Sequence, residues 1–436
     1  VAAVLPVWLL LAPRDYLSTF LKIGTIVGLA IGILIMRPTL TMPALTKFVD
    51  GTGPVWTGNL FPFLFITIAC GAVSGFHALI SSGTTPKMLA NESQACFIGY
   101  GGMLMESFVA IMALVAACII DPGVYFAMNS PMAVLAPAGT TDVVASAAQV
   151  VSGWGFSITP DTLHQIASEV GEQSIISRAG GAPTLAVGMA YILHGSLGGL
   201  MDVSFWYHFA ILFEALFILT AVDAGTRAAR FMLQDLLGVI SPGLKKTSSL
   251  PANLLATALC VLAWGYFLHQ GVVDPLGGIN TLWPLFGIAN QMLAGMALML
   301  CAVVLFKMKR QRYAWVALLP TSWLLICTLT AGWQKSFSPD TKVGFLAIAN
   351  KFQAMIDSGN IPPQYTESQL AQLVFNNRLD AGLTIFFMIV VVVLALFSIK
   401  TALAALKEDK PTAKETPYQA MPADAQTITA QAKRAH

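Results

Sequence analysis

Phe61-Pro62-Phe63-Leu64-Phe65-Ile66-Thr67-Ile68-Ala69-Cys70-Gly71-Ala72-Val73-Ser74-Gly75-Phe76-His77-Ala78-Leu79-Ile80-Ser81-Ser82-Gly83-Thr84-Thr85-Pro86-Lys87 is the stretch that decides the fold. Residues 59–80 are apolar enough to cross a hydrocarbon core, which takes about 20 helical residues. Yet Gly71, Ser74, Gly75 and His77 gather at mid-span, where lipid disfavours polarity. Two readings follow. Gly71-x-x-x-Gly75 can be a packing face that lets two helices touch. Alternatively the helix unwinds there and offers bare N–H and C=O groups to a ligand. Ser81, Ser82, Thr84 and Thr85, just beyond, supply the hydroxyl oxygens that a sodium ion would want. A phosphate-binding P-loop is excluded, because no lysine follows Gly75 and no strand precedes it.

The rest of the chain places that stretch in a bilayer. Of 436 residues, 56% are hydrophobic and only 11% are charged, against about 25% charged in an ordinary soluble domain. Mean hydropathy is +0.71. So few charges cannot furnish a water-facing surface of this size, and the outer face must meet lipid. The same numbers exclude disorder, collagen and coiled coil. A net charge of +2, with no basic patch interleaved with aromatics, excludes nucleic-acid binding as a main role. Cys70, Cys96, Cys118, Cys260, Cys301 and Cys327 lie in or beside apolar stretches without a C-x-x-C pair, so no metal centre or disulfide framework is expected.

Charge-free runs locate eight spans, near 23–36, 59–80, 95–120, 203–222, 247–268, 275–306, 313–334 and 381–399. Val1–Leu11 reads as a ninth, partial span that stops at Ala12-Pro13-Arg14-Asp15. Lacking an initiator methionine and a signal-peptide pattern, it suggests the C-terminal part of a longer polytopic protein. Putting Lys307, Lys309, Arg310 and Arg312 in the cytoplasm sorts Arg14, Lys22, Lys87, Arg227, Arg230, Lys245, Lys246 and the C-terminus to the same side. The segments near 38–58, 121–202 and 332–380 then fall outside. Within them, 183–200 is expected to be re-entrant or a broken extra helix, and Phe345, Ala349, Phe352 and Met355 an amphipathic element at the outer interface. The tail 407–436 reads as disordered.

Ionisable groups inside spans cost several kcal/mol unless paired or wetted, so each is a candidate for function. Glu106 and Glu214 fall near the middle of their spans and are candidate proton carriers, with a structural hydrogen bond as the alternative. His77 beside the glycines has an ordinary pKa of about 6.5 and ranks first for proton coupling. His208, next to Trp206 and Tyr207, reads as an interfacial anchor. Asp223 and Arg227 are four apart and can pair on one helix face, either structurally or as an inner gate. The amides of Asn290 and Gln291 suit substrate, unwound backbone or a neighbouring helix.

Pro62–Lys87 followed by Gly99-Tyr100-Gly101 through Met103-Leu104-Met105-Glu106-Ser107-Phe108-Val109-Ala110 resembles the carbon starvation protein A family. So do Arg178-Ala179-Gly180-Gly181-Ala182-Pro183-Thr184-Leu185-Ala186-Val187-Gly188, Phe213-Glu214-Ala215-Leu216-Phe217 through Asp235, Asp274-Pro275-Leu276-Gly277-Gly278, and the tail motif at 414–418. The resemblance implies a bacterial inner-membrane transporter, in a family that includes pyruvate–proton symporters and members tied to peptide uptake under nutrient limitation. It also implies an all-α bundle related to the amino acid–polyamine–organocation superfamily, with five-helix inverted repeats. Residues 1–58 would then precede the second repeat, 59–306 would form it, and 307–406 would add C-terminal helices. The first repeat would precede Val1, so the residues named here would be half of one site.

The expected function is import of a small carboxylate, pyruvate first, by proton symport through a broken-helix site. Gly71, Ser74, Gly75, Asn290 and Gln291 are its candidate substrate contacts. Peptide transport is the alternative within the class. A sensor or membrane enzyme is disfavoured, since no H-E-x-x-H, G-x-S-x-G or nucleotide motif occurs and no soluble sensory domain is attached. No cofactor is expected beyond the coupling ion, proton or sodium. The expected partners are substrate and lipid; oligomeric state is not legible.

Overall fold

The computed structural model describes residues 2–5, 8–92, 94–137, 139–274, 278–362 and 365–414, and every regular element among them is helical. The chain runs through α1 (Leu11–Met36), α2 (Leu60–Thr67), α3 (Ala69–Ala72), α4 (Gly75–Gly83) and α5 (Gln94–Cys118). It continues with α6 (Pro122–Asn129), α7 (Met132–Leu135), α8 (Val143–Gly153), α9 (Pro160–Val170) and α10 (Gly181–Ser196). Then come α11 (Val203–Ile240), α12 (Leu250–Val273), α13 (Gly278–Lys307), α14 (Trp315–Phe337), α15 (Phe345–Asp357) and α16 (Glu367–Lys407). Seven helices, α1, α5, α11, α12, α13, α14 and α16, are long and apolar enough to cross a membrane. The eighth expected span, 59–80, is present as three short helices in succession, α2 to α4.

Several boundaries differ from the sequence reading, for identifiable reasons. The first span begins at Leu11, and Ala12-Pro13-Arg14-Asp15 opens it instead of ending a preceding one. Proline is tolerated in a first helical turn, where its missing N–H has no partner to lose. The described residues before Leu11 form turns, so the partial span expected over Val1–Leu11 does not form a helix among them. Helix α11 runs for 38 residues and α16 for 41, about 57 and 62 Å at 1.5 Å per residue. Both therefore project well beyond a core about 30 Å thick, carrying charged turns that the search for charge-free runs had trimmed away.

Residues 183–196 of the segment 183–200 lie in α10, an unbroken 16-residue helix packed against α1, α5 and α11, and 197–200 form the turn that follows it. It is apolar on all sides, and Ala186, Val187, Met189, Ala190 and Ile192 are fully buried in the larger of the cores. Its Gly188 lies against the backbone of Ala116 in α5, an approach that any Cβ would block. The expected interfacial helix is α15, but Phe345, Ala349 and Phe352 are buried and the helix packs along α16. Its apolar stripe thus meets protein. A second core joins α2, α13, α14 and α16 through Phe63, Ile66, Ile288, Met292, Ala331 and Val391. Outward, large side chains such as Leu262, Leu319 and Phe397 are more than half exposed, as a lipid-facing surface requires.

Four contacts join helix ends that the charge pattern puts on a common side. Thr41 N–H reaches the Cys118 carbonyl at 2.8 Å, and Thr57 Oγ1 donates to the Lys342 carbonyl at 2.8 Å. At the opposite end Arg14 pairs with Asp223 at 3.1 Å, and Lys309 Nζ donates to the Ala405 carbonyl at 2.6 Å. Past α16 disorder is expected from 407, but Thr412 N–H bonds the Lys307 carbonyl at 3.0 Å, so the described residues up to 414 are held against the bundle. Residues 415–436 lie outside the described residues.

Candidate functional site

The broken element is held open from one side by α13. Helix α2 ends at Thr67, α3 is a single turn, and Val73 and Ser74 leave helical geometry before α4 starts. Ser74 caps α4 in an extended conformation (φ −93°, ψ 116°), its hydroxyl accepting from His77 N–H at 3.3 Å. Serine at this position satisfies one of the donors that every helix start leaves unpaired. A second is taken by Asn290 of α13, whose Oδ1 accepts from Phe76 N–H at 2.9 Å. On the other side of the break, Gln291 Nε2 donates to the carbonyl of Phe65. Two adjacent amides of one helix thus grip both halves of the other.

Glycine makes the approach possible, though not in the pattern expected. A Cβ on Gly75 would collide with the Asn290 carbonyl and with Leu293 of α13, and a Cβ on Gly287 would meet the Ile66 carbonyl at 2.7 Å. A Cβ on Gly71 would meet nothing within 4 Å. Gly71-x-x-x-Gly75 is therefore not a paired packing face; the close approaches are Gly75 against Asn290 and Leu293, and Gly287 against Ile66.

What the clamp leaves unused is chemically specific. Asn290 and Gln291 are 3% and 2% exposed, and Asn290 Nδ2 and Gln291 Oε1 are buried with no hydrogen-bond partner among the described residues. Their identities as donor and acceptor are fixed, because the opposite atom of each amide is committed to backbone. A buried polar atom left without a partner is costly, and a ligand group that completes it gains accordingly.

The coupling candidates divide. His77 and Glu106 come together across α4 and α5, with Nε2 and Oε2 3.8 Å apart and side chains 59% and 42% exposed. Glu214 is half-buried on α11 and forms no ion pair with either. The hydroxyls of Ser81 and Ser82 donate to carbonyls one turn back, Ala78 at 2.9 Å and Leu79 at 2.7 Å. Both side chains are exposed, whereas the Thr84 hydroxyl is buried without a partner among the described residues, so these three hydroxyls differ in their surroundings. Asp223 and Arg227 do not pair with each other. Asp223 takes Arg14 of α1, and Arg227 donates to the carbonyls of Leu5, at 2.7 Å, and Ala2. The chain segment before α1 supplies partners that no spacing rule within α11 reveals.

Among the buried polar groups that the sequence reading missed are two charged ones. Asp380 on α16 is 3% exposed, one turn beyond Asn376, which donates to Asp274 at 3.0 Å. Lys335 at the end of α14 is buried among the rings of Trp56, Phe63 and Phe345, 5.3 to 5.8 Å from its Nζ. Each bounded an apolar run and so read as a flank of its span. The missed signal for Asp380 is the polar stripe Gln372, Asn376, Asp380, Thr384 at four-residue spacing.

Kinship now fixes the family. The description "Carbon starvation protein CstA" matches residues 1–331. The chain belongs to the CstA family. It is 93% identical over 436 residues to a peptide transporter CstA of Escherichia coli K12, covering 100% of this chain and 62% of that protein. It is 59% identical over 440 residues to the pyruvate/proton symporter BtsT of the same organism, covering 97% of this chain and 61% of that one. A peptide transporter CstA of Mycobacterium tuberculosis H37Rv is 51% identical over 426 residues, covering 94% of this chain and 56% of the relative. The chain thus spans less than two thirds of the length of these relatives. No solved structure matches it. The CstA match contains the broken element, α5, α11 and the clamp on α13, whereas Lys335 and Asp380 lie beyond it.

Proposed function

We propose that this CstA-family protein imports a small carboxylate, pyruvate first, across the bacterial inner membrane by proton symport, with its C-terminus in the cytoplasm. The observation that carries this reading is the unpaired Asn290 Nδ2 beside the break, a fixed donor at the depth where transporters of the broken-helix type hold substrate. A carboxylate oxygen accepts from it, and the N-terminal end of α4 favours negative charge. Ser74 and Gly75 place that end against α13; Gly71 leaves room beside it. The relation of 59–306 to a second inverted repeat belongs to the same proposal.

An inward-moving carboxylate works against the membrane potential by about 2.3 kcal/mol per charge per 100 mV, so a cation must accompany it. His77 and Glu106 are adjacent, reachable by water, and next to the break, which suits a pair that passes a proton on. Asp223 with Arg14, and Arg227 on the carbonyls before α1, tie the inner ends of α1 and α11 as a gate must. Sodium remains the alternative ion. Peptide is the alternative substrate, favoured by Gln291 Oε1, a buried acceptor without a partner among the described residues that a peptide N–H can complete. Uptake of labelled pyruvate and labelled dipeptide by membrane vesicles containing the protein separates the two. Saturable pyruvate uptake driven by an inward proton gradient supports the first reading, and dipeptide uptake alone replaces it with the second.

A further inference from the structure

Away from the break, three buried polar side chains lie on α11 and α12, which pack against each other. The two helices form an antiparallel hairpin joined by residues 241–249, and Gln234 Nε2 donates to Asn253 Oδ1 at 2.9 Å. One turn back along α11 is Arg230, and one turn forward along α12 is Thr257. The antiparallel register therefore sets these two side by side. Arg230 is 4% exposed, Thr257 8% and Gln234 1%. Arg230 Nε and Nη1, Thr257 Oγ1 and Gln234 Oε1 are all buried without a hydrogen-bond partner among the described residues.

The charge balance is positive. Asp223 is taken by Arg14, Arg227 is taken up by two carbonyls, and Arg230 forms no ion pair among the described residues. The ring of the neighbouring Phe231 lies 4.5 Å from its guanidinium carbon. A guanidinium withdrawn from water without a counter-ion is strongly disfavoured. Its planar fork matches the two oxygens of a carboxylate or phosphate.

We propose that Arg230, Thr257 and Gln234 form an oxyanion site at the Arg14 end of the bundle, distinct from the break at Val73 and Ser74, although the far end of α4 packs on α11 at Ala228 and Phe231. Arg230 holds two oxygens and the Thr257 hydroxyl donates to one of them. The Gln234 oxygen, fixed as an acceptor because its amide nitrogen is committed to Asn253, takes a donor carried beside the anion. Two sources offer that chemistry: a phospholipid headgroup with a hydroxyl or ammonium next to its phosphate, and a peptide-like solute with a carboxylate next to N–H.

The test is thermal unfolding of the delipidated protein in detergent, titrated separately with phosphatidylglycerol, phosphatidylethanolamine, glycylglycine and inorganic phosphate. A saturable rise in Tm with a lipid assigns the site to a headgroup, and a rise with glycylglycine or phosphate assigns it to a solute. In either case Arg230→Met should weaken apparent affinity at least tenfold, Arg230→Lys less, and Thr257→Val about threefold. If Arg230→Met fails to fold, Arg230→Lys and Thr257→Val carry the same comparison. No rise with any of the four, or equal rises in native protein and variants, overturns the proposal. Because it does not rest on the pyruvate reading, either can fail alone.

Discussion

Asn290 and Gly75 do complementary things at one point: the amide closes a hydrogen bond to α4, and the missing Cβ lets α13 come near enough to make it. Gly75→Ala should destabilise the protein by about 1–3 kcal/mol, the usual cost of forcing extra volume into a close contact. Gly71→Ala, with nothing within 4 Å of the new methyl, should leave thermal unfolding unchanged. Equal losses for the two would mean that the break is placed differently. Asn290→Ala removes the partner of Phe76 N–H and should cost about 1–2 kcal/mol, as the loss of a helix cap does. The same comparison of unfolding midpoints reads it out. Sequence alone singled out the polar cluster in residues 71–77 but could not rank its glycines. Their difference depends on which helix stands opposite, and α13 lies over 200 positions further along the chain.

At the scale of elements, α1 and α11 are joined by a charge pair that crosses between helices. Asp223 is buried while Arg14 keeps 22% of its side chain exposed. Removing one partner of a buried pair costs about 3–5 kcal/mol, and the exposure of Arg14 sets the expectation for Arg14→Met near the lower end. The double variant Arg14→Met/Asp223→Leu should recover most of that loss, because no buried charge is then left unpaired. A double-mutant cycle on unfolding midpoints measures the coupling, and additive losses would contradict the pair. Spans of uninterrupted apolar residues were legible in the sequence because lipid imposes them. Pairing within Asp223-x-x-x-Arg227 was the natural local reading, and it failed because a non-local partner, Arg14, takes the carboxylate. Helix α15 misled similarly: an amphipathic stripe declares that one face is buried, not whether lipid or α16 buries it.

For the whole molecule, the charge rule and the contacts between helix ends agree on which ends lie together, since both follow from threading helices alternately through one layer. The clamp, by contrast, was only half legible: Asn290 and Gln291 were visible as polar residues in an apolar run, but their division between backbone and ligand needed three dimensions. Coupling is the property that belongs to this scale. His77→Gln should abolish proton-driven accumulation of pyruvate in vesicles while leaving exchange across the membrane intact; normal accumulation would reduce His77 to a packing residue.

The central claim, that substrate is held at the break, has a direct reporter in Cys70, part-exposed in α3 with its Sγ 3.7 Å from Ser74 Oγ. With Cys96, Cys118, Cys260, Cys301 and Cys327 replaced by alanine or serine, the rate of Cys70 alkylation by a small maleimide is measured against pyruvate concentration. The account predicts a saturable slowing of several-fold, absent with an uncharged analogue and lost in Asn290→Ala. An alkylation rate unchanged by pyruvate, at concentrations that saturate its uptake, would contradict it.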